Sequence, residues 1–287
     1  MRAASLRMLA FLCGTACSEP PSDDAAPSRW EVADASSTDG AFGGEPVVSA
    51  LLFRDLRVAA VSDGLSVGFD LDGLVSSDSR SDGCGLADAT APEGTPGIDN
   101  GVGTIWADFY DVLGASMESL FRDGVSRGGD IPALILGGDS RWTSARLDGA
   151  AVDFDGLLAG YQTFDRLGSG QPVVVDASRD TIEVAAWDTV VVVPAFGPPL
   201  RLAVSGLRLS LHRDEDGVWR GVAGGAFETD AIPEVLATIT ALTSGETLAT
   251  AVARAADLPD AANACRRISF AAEVEAVEGF VVAPGEP

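Results

Sequence analysis

Apolar and polar residues alternate with period two over most of this chain. Leu65, Val67, Phe69 and Leu71 alternate with Ser66, Gly68, Asp70 and Asp72, the signature of a half-buried strand. With Asp63-Gly64 as the turn, Val47–Asp72 reads as strands closing a hairpin. The pattern breaks at Gly73–Gly103, a long acidic stretch rich in glycine. It resumes with helical spacing at Ile105, Phe109, Val112, Leu113, Met117, Leu120 and Phe121, ending at Arg122-Asp123-Gly124. Further strands are predicted at Ile131–Leu136, Thr143–Phe154, Val173–Asp176, Thr181–Ala195, Leu200–Arg213 and Val218–Phe227. Asp214–Gly217 turns between the last two. Val190–Val193 is apolar on both faces, which predicts a central strand. Ile232, Val235, Leu236, Ile239 and Leu242 form a helical stripe capped by Asp230. Leu248, Ala251, Val252 and Ala255 form a shorter one capped by Ser244. A last strand follows at Ile268–Val282. The order predicts a β-rich α+β domain, a mainly antiparallel sheet packed with about three helices.

The first residues belong to another kind of segment. Met1–Arg7 carries two arginines and no acid, and Met8–Ala16 is a short apolar run. That run is far below the roughly 20 residues needed to cross a bilayer, and the combination reads as a secretory signal. Gly14-Thr15-Ala16-Cys17 resembles the lipobox of bacterial lipoproteins, departing from it at Gly14, where leucine is usual. The resemblance implies cleavage before Cys17, a lipid on its sulfur, and the membrane as a partner through that anchor. By the same resemblance Ser18 favours the outer membrane. Residues 18–46 are rich in Ser, Pro, Asp, Ala and Gly and lack apolar periodicity, so they cannot bury enough surface to offset ordering. The expected organisation is a signal peptide at 1–16, a lipidated flexible tether at 17–46, one domain at 47–283 and a tail at 284–287.

Charge narrows the partners. Acids outnumber bases 43 to 19, for a net charge of −24, and every base is arginine. Phosphate backbones need clustered cations, so nucleic acid is disfavoured. Cysteine usage points to an oxidising compartment. Outside the leader only Cys84 and Cys265 remain, and two such residues in an exported chain are expected to pair.

The acidic stretch is the main candidate site. Asp70, Asp72, Asp82, Asp88, Asp99 and Asn100 are hard oxygen ligands suited to Ca²⁺. No EF-hand register fits, since from Asp78 the third position is Arg80 and the twelfth Ala89. The alternative is a solvated loop in which Asp99 or Asn100 caps the following helix. The run Gly68-Phe69-Asp70-Leu71-Asp72-Gly73, then Asp82-Gly83-Cys84, then Gly97-Ile98-Asp99-Asn100 entering a helix resembles uncharacterised lipoproteins of myxobacterial-type bacteria. That resemblance implies an address and no established activity.

Enzymatic chemistry finds little support. Gly64-Leu65-Ser66-Val67-Gly68 matches G-x-S-x-G, but the motif needs a strand before the serine and a helix after it. Here the serine opens a period-two run. His212, the one histidine, alternates outward from Leu207, Leu209 and Leu211. Without lysine, the phosphate-loop motif G-x-x-x-x-G-K-[ST] is excluded. The expectation is therefore a non-enzymatic envelope lipoprotein acting as a binding or structural module, with no obligatory cofactor. The alternatives are a calcium-stabilised surface or adhesive domain, a lipid carrier whose apolar strands Val190–Leu211 line a cavity, and, least supported, a Ser66–His212 serine hydrolase.

Overall fold

The period-two runs assemble into a ten-stranded sheet that curls back on itself. The structure is a computed structural model and describes residues 47–77, 84–126, 131–137, 141–148, 163–193, 200–232 and 234–282. All of these fall within the unit Val32–Pro287. The expected signal at 1–16, the expected tether at 17–46 with Cys17, the tail at 284–287 and Asp82 lie outside the described residues.

The strands are β1 (Val47–Val58), β2 (Ala89–Thr90), β3 (Pro96–Ile98), β4 (Ile131–Leu136), β5 (Trp142–Asp148), β6 (Thr163–Val173), β7 (Val175–Ala177), β8 (Thr181–Val193), β9 (Leu200–Arg213), β10 (Trp219–Glu228), β11 (Leu258–Pro259) and β12 (Cys265–Val282). β12 is the hub. It pairs antiparallel with β1, β10 and β11, and parallel with the start of β6 through Phe280 and Val281. β1, β4, β5, β6 and β12 thus form a closed circuit, and from β12 the sheet runs on through β10, β9, β8 and β7. The far wing curls until β8 approaches β6. Residues 187–193 of β8 have no strand partner, among the described residues, on the side away from β9. The sheet is therefore nearly closed, with a seam between β8 and β6.

Strand β9 shows how the sequence keeps one face apolar along this curve. Leu202 and Val204 face inward before Gly206, and Leu207, Leu209 and Leu211 after it. The phase changes because the pairing with β10 slips between Gly224 and Ala226. Gly206 takes φ +61° there, a conformation costly for any residue with a β-carbon.

The helices cover the concave face. α1 (Gly101–Phe109) passes through a π turn, Tyr110–Gly114, into α2 (Ala115–Ser126). Ile105, Phe109, Leu113, Phe121 and Val125 are buried, at spacings of four or eight. In a straight α-helix a spacing of four drifts by about 40° each time, and the wider π turn takes up part of that drift. The first half of this stripe packs on Ala251, Val252 and Ala255 around α4 (Leu248–Arg254) and on Ile268. The second half packs on Leu52, Ile131, Ala133, Ile135 and Leu147. With the short α3 (Glu234–Ala237), the described residues hold three helical stretches on a β-rich frame, the α+β architecture read from the sequence.

Several boundaries differ from the sequence reading. The Asp63-Gly64 turn forms, with φ of 51° and 74°, but residues 66–72 make only isolated bridges and no second hairpin strand. The helix expected at 232–242 is confined to 234–237, and Leu242 is 75% exposed. Thr238-Ile239-Thr240 is a β-branched run that disfavours helix, and Thr240 bridges Thr247 instead. Thr247, not Ser244, caps α4, its hydroxyl accepting from Thr250 N. β8 lies beside the edge strand β7, not centrally, and Val190 is half exposed. β6 went unread because Gly168, Gly170 and Pro172 interrupt its alternation.

Candidate functional site

Two places carry chemistry: the acidic loop and the interior of the curled sheet. The loop lies on the face opposite the helices. The alternation at Leu65–Leu71 serves packing there, with Phe69 seated on Gly224, where an added β-carbon would come within 2.7 Å of its ring. Phe69 O accepts from Asp99 N at 3.0 Å, which draws the two ends of the loop together. Cys84 and Cys265 form a disulfide with a sequence separation of 181 residues, tying the loop to the start of β12.

This geometry gathers Asp70, Asp72 and Asp99 so that one carboxylate oxygen of each lies within 4.8 Å of the others. Each already holds backbone. Asp70 Oδ1 accepts from Gly73 N at 2.6 Å, Asp72 Oδ1 from Leu74 N at 2.9 Å, and Asp99 Oδ2 from Leu71 N at 2.6 Å. Asp88 adds a further carboxylate beside Asp99, and its Oδ2 accepts from Ser76 N. Asp99 is 2% exposed. Burial pushes its carboxyl up to about 8, and the neighbouring charges of Asp72, Asp257 and Asp88 push the same way. Burial also raises Asp88. Asp99 therefore keeps its proton at neutral pH. A hard cation would have to displace that proton and recruit further oxygens to reach the 6–8 that calcium takes.

Asn100 stands apart from this group. Its Oδ1 accepts from Gly103 N at 3.0 Å and from Ala271 N at 3.2 Å. Its Nδ2 donates to Ala59 O at 2.9 Å and to Ser66 Oγ at 2.8 Å. All four hydrogen-bonding positions of the amide are filled. Asn100 is therefore the N-cap of α1 and the pin between the end of β1 and β12. Ser66 is buried by the same contact, and its hydroxyl donates to Val67 O. His212 is exposed beside Asp214 at 3.3 Å. The structure does not bring Ser66 and His212 together as a hydrogen-bonded pair.

Two cavities in the interior stand out among the described residues, the feature that sequence reasoning reached only through the apolar strands Val190–Leu211. The smaller, about 160 Å³, lies between sheet and helices. Its walls include Val58, Trp106, Phe109, Leu202, Val204 and Val252, and they expose no polar surface to it. The larger, about 460 Å³, lies toward the seam, with Phe53, Trp187, Leu207, Leu209 and Val274 beside the more polar Arg146, Gln171 and Arg201. Leu56, Val191 and Phe270 line both, so the two cavities adjoin. Trp106 Nε1 and Trp187 Nε1 are buried without a hydrogen-bond partner among the described residues. An unpaired buried donor costs about 1–3 kcal/mol.

Comparison with known proteins finds no matching family model, no matching curated sequence and no matching solved structure. The functional reading therefore rests on the geometry.

Proposed function

We propose that this chain is an exported, lipid-anchored binding module that holds an apolar ligand inside its curled sheet. The pair of adjoining cavities carries the reading. The larger falls within the roughly 300–1,000 Å³ of small-molecule sites, and the smaller matches the size at which an apolar void stays dry and accepts a hydrophobic guest. The Cys84–Cys265 disulfide supports an oxidising compartment, and the lipobox-like run ending at Cys17 supports the anchor. The engagement of Ser66 with Asn100 and Val67 disfavours the hydrolase.

The test is titration with the apolar fluorophore N-phenyl-1-naphthylamine. One saturable site is expected. Val204→Phe and Ala223→Leu, each reaching into one cavity, should weaken it about tenfold while Tm holds or rises, as filling a void stabilises. Absence of saturable binding would sink the proposal. Incorporation of a palmitate analogue, lost in Cys17→Ser, checks the anchor.

A second reading, a calcium-stabilised surface domain, is favoured by the proximity of Asp70, Asp72 and Asp99. It requires Tm to fall with EDTA and recover with excess Ca²⁺. An unchanged Tm refutes it.

A further inference from the structure

We infer that the ligand is a single-chain acyl amphiphile with an anionic head, its chain running through both cavities and its head at the seam beside Arg201. This rests on the binding reading above and names the class of molecule bound.

The cavities themselves argue for one chain. The smaller one exposes only apolar surface, which suits methylene groups and offers a head no polar partner. Polar lining appears only in the larger cavity, where Gln171 of β6 and Arg201, paired with β8, stand on the two sides of the seam, with Asp55, Ser144, Arg146 and Thr189 on the same lining. The ligand must therefore be apolar at one end and polar at the other, with the polar end at the seam.

Asp55 on this lining is already paired with Arg57 and Arg122, so Arg201 sets the sign of the head. In a chain of net charge −24, arginines are drawn into pairs with carboxylates. Arg54, Arg57 and Arg220 share Glu275, Arg122 meets Asp55, and Arg254 meets Glu246. Arg208 and Arg267 donate to Asp70 O and Ser205 Oγ. Arg201 lines the larger cavity and is exposed, yet its side chain makes no ion pair or hydrogen bond among the described residues. Its guanidinium presents a planar fork suited to a carboxylate or phosphate. A neutral head would leave Arg201 as it stands, and a cationic head would be repelled.

The experiment uses the full chain and displacement of bound N-phenyl-1-naphthylamine. Palmitate and a palmitoyl lysophosphatidylglycerol are the anionic competitors, hexadecanol the neutral one, and hexadecylamine the cationic one. The anionic competitors should displace the probe at least tenfold more tightly than hexadecanol, and hexadecylamine most weakly. Which anionic competitor is tighter distinguishes a free fatty acid from a lysolipid. Arg201→Ala, at an exposed position, should erase the anionic advantage and leave hexadecanol unchanged. Saturable probe binding with no anionic preference, or an Arg201→Ala chain that keeps the preference, overturns this inference and leaves the binding module standing. No binding of the probe overturns both.

Discussion

Replacing Asn100 by alanine tests how the helix layer is joined to the sheet. Four bonds are lost from a site that is 4% exposed. The cap of α1 alone is worth about 1 kcal/mol, within a range of 0.5–2. Gly103 N, Ala271 N, Ala59 O and Ser66 Oγ are then left to find other partners. A buried polar group left unsatisfied costs about 1–3 kcal/mol, and a water admitted to the vacated volume recovers part of that. The expected loss is about 3–5 kcal/mol, at the upper end of single-residue effects. Urea unfolding reads it as a lower midpoint with an unchanged slope. Asn100→Asp separates the bonds from the volume. It keeps the acceptor oxygen but places a carboxylate beside Asp99 in a buried site, so it should be as damaging at pH 7 and partly recover near pH 4. A loss below 1 kcal/mol in Asn100→Ala would show that the four bonds form but do not hold the layers together.

Two further outcomes follow from the same region. The Asp99 carboxyl sits at about 8 in the fold, against 3.8 for an unperturbed aspartate. The folded state keeps a proton that the unfolded chain releases, so this contribution is full below pH 4 and is lost as pH rises through 8. The slope is at most about 1.4 kcal/mol per pH unit. Asp99→Asn should flatten the Tm profile between pH 4 and 8, and an unaltered profile refutes the assignment. Removing the disulfide by Cys84→Ala with Cys265→Ala should cost up to about 5 kcal/mol on the loop-entropy scale, seen in the urea midpoint. Thiol labelling of the denatured, unreduced domain should find neither cysteine free.

Sequence reading succeeds here where one physical cause dominates a stretch. Leu200–Arg213 and the Asp214–Gly217 turn are legible because burial on one face enforces period two and a tight turn needs Gly217. The Cys84–Cys265 bond follows from the cysteine count in a chain expected to be exported, and a cap at Asp99 or Asn100 is legible from its place before a helical stripe. Reading fails where tertiary packing borrows a familiar pattern. Leu65–Leu71 alternates as a strand would, yet Phe69 uses that alternation to seat on Gly224. Thr238-Ile239-Thr240 sits in a helical stripe whose branched side chains favour another course. At the candidate sites, sequence supplies the acids but not their division. Only the fold shows that Asp70, Asp72 and Asp99 converge while Asn100 turns to Ala59 and Ala271. The cavities arise from the curl of the sheet, which no local pattern encodes.

The hub position of β12 bears on how the chain folds. β12 is the last strand of the sheet in chain order, yet it pairs with β1, β6, β10 and β11. Earlier strands can form local hairpins such as β4–β5, β8–β9 and β9–β10 as they emerge. They cannot become one sheet until β12 arrives, and Val47 then meets Val282 across nearly the full domain. Such long-range closure is slow, because its loop entropy is spent before its contacts form. During synthesis or transport the half-made sheet therefore shows open edges and an unroofed apolar interior, the state most exposed to aggregation. A chain arrested before Cys265 should accumulate as separate hairpins rather than as a smaller version of the fold.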